Sequence, residues 1–121
     1  MEKANEFASL LVKSRSLGHV AHWATDSYSK HMALASFYEG LGELMDEFVE
    51  QYQGYYGERM KVEILTCDLD DDVAGELEDH MEWIERYRYE VCDKDETALQ
   101  NAIDEIVALY QTTIYKLRML K

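Results

Sequence analysis

Apolar residues recur along most of the chain at alternating intervals of three and four, the period of a helix that buries one face. The cleanest run comes last: Leu99, Ile103, Ile106, Tyr110, Thr113, Leu117 and Leu120 fall at 4-3-4-3-4-3 spacing, the seam of a helix bundle. A second run, Leu34, Tyr38, Leu41, Met45, Phe48, Tyr52 and Tyr55, predicts a long helix capped by Asp26 or Ser27. The first helix is expected over about Glu2 to Trp23, with Phe7, Leu10, Leu11, Leu17 and Val20 as an apolar stripe interrupted around Ser14 to Ser16. Ala24 to Asp26 then breaks the pattern. The acidic cluster Asp68, Asp70, Asp71 and Asp72 suits the positive end of a third helix running to about Val91, with Val73, Leu77, Met81, Ile84 and Tyr87 or Tyr89 on its inner face. Asp93 to Glu96 reads as an Asp-x-x-Glu cap for the fourth.

Between the second and third helices, Gly57 to Asp72 reads as a connection in which Lys61 to Leu65 alternates like an extended strand. There is no proline and there are only 6 glycines, so nothing interrupts long helices. The expectation is an all-α chain, residues 1–121 forming a single four-helix-bundle domain. Two topologies compete. A helix of about 30 residues is about 45 Å long, and about 14 extended residues reach at most about 45 to 50 Å. A ferritin-type crossover and a simple up-down-up-down bundle therefore both stand.

Charge narrows the partners. With 25 acidic against 12 basic residues the net charge is −13, which opposes binding to nucleic acid through phosphate neutralisation and favours cations or a basic protein. The only basic cluster, Lys116, Arg118 and Lys121, lies at the far end. No apolar run approaches the roughly 20 residues of a membrane span. Cys67 and Cys92 stand alone, without a C-x-x-C partner, so no disulfide framework or zinc site is expected, and with no secretory pattern in Met1 to Leu10 the expected compartment is the cytoplasm. Four amphipathic helices in so short a chain also favour pairing into a dimer or larger homo-oligomer, to which a rich supply of tyrosines is suited.

Candidate chemistry clusters in one region: His19, His22 and His31, then Glu39, Glu43, Asp46 and Glu50. At about 100° per residue from His31, Glu39, Glu43, Asp46 and Glu50 fall at about 80°, 120°, 60° and 100°, while Leu34, Leu41, Met45 and Phe48 centre near 290°. The acids form their own stripe, either a solvated face or, with imidazoles near, donors for iron or manganese. Glu76 and His80, one turn apart, read as a surface pair. Asp68 to Asp72 lacks the register of a calcium loop. No Gly-rich phosphate loop, G-x-S-x-G or Cys-His nucleophile pair is present.

The run His22-Trp23, then His31, then Asp46-x-x-x-Glu50 resembles the Dps family, the miniferritins. His31 to Asp46 is fifteen residues and Asp46 to Glu50 four, as in that family. The resemblance, over about His19 to Gly57, implies a ferritin-like subunit with a di-iron ferroxidase centre at a two-fold interface. One subunit would supply His22 and His31 and its partner Asp46 and Glu50, with Trp23 nearby as an oxidisable side chain. Two imidazoles and two carboxylates leave iron with open positions for an oxidant. His22 and His31 are nine residues apart, three fewer than in the family, so His19, one turn earlier, and Glu43 are further candidate ligands.

The fuller string His19-x-x-His22-Trp23-x-Thr25-x-Ser27-Tyr28-x-x-His31-x-Ala33-Leu34-x-x-Phe37-Tyr38 is also similar to short helical proteins of tailed bacteriophages. That resemblance implies the same fold in a host cytoplasm, with a host or phage protein as partner. Two functions follow as expectations: an iron-binding protein that oxidises Fe(II), or a non-enzymatic acidic interaction protein on the same scaffold.

Overall fold

The computed structural model describes residues 1–121 and contains four helices: α1 (Glu2–Ala24), α2 (Tyr28–Tyr56), α3 (Val73–Val91) and α4 (Thr97–Met119). Each boundary has a local cause. Ser27, rather than Asp26, caps α2, its hydroxyl accepting from the Lys30 N–H at 3.3 Å. Gly57 ends α2 in the left-handed region at φ 70°, where a Cβ is penalised. Asp72 caps α3 through the Gly75 N–H. The expected Asp93–Glu96 cap does not form: Glu96 is itself the N-cap of α4 and makes no side-chain capping bond, because its carboxylate is drawn across to the Tyr56 hydroxyl.

α1 and α4 each pack on both α2 and α3, leaving α1–α4 and α2–α3 as the diagonals. Met1, Tyr52, Tyr56, Val91 and Cys92 line one cleft, which puts the start of α1 with the ends of α2 and α3. Ala21, Leu34, Ala74 and Leu117 meet at the opposite end. Hence α2 and α3 run parallel, and residues 57–72 must return along the whole bundle. The topology is the crossover. It is feasible because α3 has 19 residues and is about 28 Å long, less than the full height of α2.

The crossover runs alongside α1, held by side chains rather than by a ladder. The Lys61 N–H donates to Asn5 Oδ1 and the Glu63 N–H to Ser9 Oγ, both at 2.9 Å. Lys61 to Leu65 is extended but forms no strand, having no second strand to pair with. Its alternation falls elsewhere than expected: Leu65 and Cys67 are half-buried while Val62 and Ile64 face out.

The core joins all four helices, and each large apolar side chain buried there stabilises by about 1.5–3 kcal/mol. Every expected α4 position from Leu99 to Leu117 is buried, and Leu120 is exposed. In α2 it is Phe37, not Tyr38, that enters the core, and Tyr55 is exposed. In α1 the stripe is Ala4, Phe7, Leu11, Ser14, Gly18 and Ala21, so Ser14 does not interrupt it and Val20 lies outside. Small residues bring α1 close to its neighbours: a Cβ on Gly18 would lie 2.8 Å from the Phe37 ring. Both cysteines are free, and no helix is long and apolar enough to cross a membrane.

Candidate functional site

The last turn of α1 and the first turn of α2 are joined by Thr25 to Ser27, and this tight hairpin stacks the histidines on one another. The His22 and His31 rings lie 3.6 Å apart at 20°. His22 Nδ1 donates to the His31 carbonyl at 2.7 Å, and His31 Nδ1 donates to the His22 carbonyl at 2.8 Å. A carbonyl can only accept, so each Nδ1 carries a proton, and no hydrogen bond holds either Nε2. His19 stacks on Tyr38 at 4.0 Å and 14°, and against Trp23 at 4.4 Å; Trp23 is 69% exposed.

A backbone carbonyl holding Nδ1 is the outer-shell arrangement that prepares Nε2 for a metal. The two rings are stacked nearly parallel, so their Nε2 lone pairs, which lie in the ring planes, run side by side. The carboxylate half of the expected site is elsewhere in the same chain. Asp46 is fifteen residues beyond His31 on one straight helix, about 22 Å, and Glu50 is about 28 Å away. No group of three or more His, Cys, Asp or Glu in one chain is placed to hold a metal ion. The two halves can meet only between two copies.

Glu39, Glu43, Asp46, Glu47 and Glu50 are all exposed, and none of the ion pairs in the protein involves them. Arg15 crosses from α1 to α2 close by, but its Nε donates to the Tyr38 carbonyl at 3.2 Å and it lies over Gly42. The stripe is a negatively charged face without an ion pair of its own, with Arg15 at its edge.

A second polar cluster lies in the core. His80 is not a surface residue: it is 6% exposed and points into the core. Tyr110 OH donates to Ser14 Oγ at 2.6 Å, and Ser14 Oγ in turn donates to His80 Nδ1 at 2.6 Å. That direction puts the His80 proton on Nε2, which faces Glu76 Oε2 at 3.5 Å, too long for a hydrogen bond, and leaves Nε2 buried without a partner. Burial lowers the His80 pKa from 6.5 to about 4, Lys13 adding to the effect and Asp79 opposing it. The available signals were Ser14 in register with Phe7, Leu11 and Gly18, and His80 in register with Leu77 and Ile84. Ser14 and Tyr110 are enclosed, so the cluster satisfies buried polar groups and offers no nucleophile to a substrate.

A family model described as a family of unknown function (DUF5856) matches residues 22–117. The chain is 29% identical over 124 residues to an uncharacterized 14.6 kDa protein in the mobD-ri intergenic region of Enterobacteria phage T4, with 97% of this chain and 89% of that protein covered. No solved structure matches. These matches agree with the resemblance to phage proteins, and neither is to a miniferritin.

Proposed function

The chain belongs to the DUF5856 family, and from that premise we propose that it is a non-enzymatic interaction protein whose acidic α2 face docks a basic protein partner. The observation that carries this reading is the exposed stripe Glu39, Glu43, Asp46, Glu47 and Glu50, which has no ion pair of its own. Like charges held along a rigid helix raise the local potential and steer a basic partner toward it. A four-helix scaffold fixes their spacing.

The test is calorimetric titration with an arginine-rich peptide at rising salt. The protein is compared with a Glu39→Gln, Glu43→Gln, Asp46→Asn, Glu50→Gln variant and with a control in which Asp79, Glu82, Glu85 and Glu105 are replaced by amides. A loss of tenfold or more in the first variant alone supports the reading. Equal losses in both would reduce it to net charge and sink it.

A second reading has its own support. The paired Nδ1 bonds leave Nε2 of His22 and of His31 without a hydrogen bond, and in a homodimer these atoms would complete an iron site with Asp46 and Glu50 of the second copy. Anaerobic Fe(II) titration followed by peroxide, with His31→Ala plus Asp46→Ala alongside, tests it. Binding unchanged in that variant counts against it.

A further inference from the structure

We propose that the tyrosine-lined cleft where α2 and α3 end is a binding site for an organic cation, an alkylammonium or guanidinium group. The assignment rests on reading the chain as a binder of basic partners, for which this cleft supplies the anchoring pocket. It has a volume of about 430 Å³, and Tyr52, Tyr56 and Tyr89 line it together with Glu58, Glu90 and Asp93. No lysine or arginine does, and the one residue on the lining that carries a cationic group is Met1, through its α-amino group.

The rings form a wall. Tyr52 and Tyr56 lie 4.4 Å apart at 41°, Tyr55 meets Tyr56 edge-on at 4.9 Å, and Tyr89, 60% exposed, stands on the α3 side. The face of a tyrosine ring attracts a cation through its quadrupole. The Tyr89 ring already meets one cation outside the cleft, the Arg88 guanidinium 5.6 Å from its centroid.

Charge lies behind the wall as well as around it. The Tyr56 hydroxyl donates to Glu96 Oε1, while Glu96 Oε2 is buried without a partner, an arrangement that a positive charge nearby relieves. Burial and the Glu96 carboxylate push the Tyr56 phenol upward, so the ring stays neutral and keeps donating.

The chemistry selects an organic cation over a metal ion. No three His, Cys, Asp or Glu converge on a point, and a hydrated ion gains little from ring faces. A guanidinium or alkylammonium is weakly hydrated, stacks on tyrosine and pairs with carboxylates at its rim.

The experiment titrates the full chain with butylguanidinium, with its neutral counterpart butylurea, and with an arginine-rich peptide, reading NMR shifts of the tyrosine rings. Tyr89→Ala and Glu90→Gln, both at exposed positions, serve as variants. Butylguanidinium is expected to shift Tyr56 and Tyr89 and to bind at least fivefold more weakly to each variant, with butylurea silent. The peptide should lose about tenfold in Tyr89→Ala. Equal shifts with butylurea, or peptide binding that falls in the α2 variant and is untouched by Tyr89→Ala and Glu90→Gln, would overturn the cleft while leaving the acidic-face reading intact. Butylguanidinium seated in the cleft of a protein that binds no basic peptide would support the cleft and overturn that reading.

Discussion

His22 and His31 hold each other by the backbone: the imidazole of each donates to the carbonyl of the other across the α1–α2 hairpin, with the rings stacked between them. Each bond occupies a carbonyl at a helix end and fixes a ring, so the pair acts as a clasp on the hairpin. His22→Ala and His31→Ala should each lower stability by about 1 kcal/mol. Because the stack fails when either ring is removed, the double variant should cost less than the sum. Urea unfolding of the three variants checks this; strict additivity would refute the clasp.

Acid should weaken the fold through His80. Above about pH 6.5 the imidazole is neutral in both states. Between 6.5 and the folded value of about 4 only the unfolded chain takes up the proton, so stability falls as pH falls across that window and this contribution stops changing below it. The loss from pH 7 to pH 5 is about 2 kcal/mol. The check is the difference in urea stability between the two pH values for the protein and for His80→Gln, which should lack most of that component.

Ser14 joins Tyr110 to His80. Ser14→Ala strands a buried hydroxyl and a buried ring nitrogen and should cost about 2–6 kcal/mol, at about 1–3 per orphaned group. On a Tyr110→Phe background the same change strands only His80 and should cost less. A double-mutant cycle by thermal unfolding measures the coupling, and a value near zero would mean the three groups do not act together.

Two glycines in helices should respond oppositely to alanine. A Cβ at Gly18 meets the buried Phe37 ring at 2.8 Å, so Gly18→Ala should destabilise by about 1–3 kcal/mol despite better helix propensity. Gly54 has nothing within 4 Å of its Cβ position, and Gly54→Ala should stabilise by about 0.5–1 kcal/mol. A melting temperature unchanged or raised by Gly18→Ala would contradict the close α1–α2 approach.

The crossover is tied to α1 by two side chains. Asn5→Ala plus Ser9→Ala should speed amide exchange at Lys61 and Glu63 at least tenfold while leaving α4 protected. Equal acceleration in α4 would mean the segment opens only with the whole bundle.

The four helices, the acidic start of α3, a cap for α2 at Asp26 or Ser27, and the α4 seam were legible in the sequence, because helical periodicity and capping depend on residues within one or two turns of each other. The acidic stripe of α2 was legible for the same reason: Glu39, Glu43, Asp46 and Glu50 fall on one side of a single helix whatever the helix packs against. What packing decided was everything that compares residues on different helices. Only the arrangement of neighbours turns His80 inward onto Ser14 and Tyr110, gathers Tyr52, Tyr56 and Tyr89 into one cleft, and chooses Phe37 over Tyr38 for the core. The crossover, too, required knowing that α3 is shorter than α2 and that Asn5 and Ser9 can hold an extended chain. The separation of His31 from Asp46 by fifteen residues was in the sequence. Because one straight helix keeps them about 22 Å apart, the tertiary structure limits any shared site to two copies of the chain.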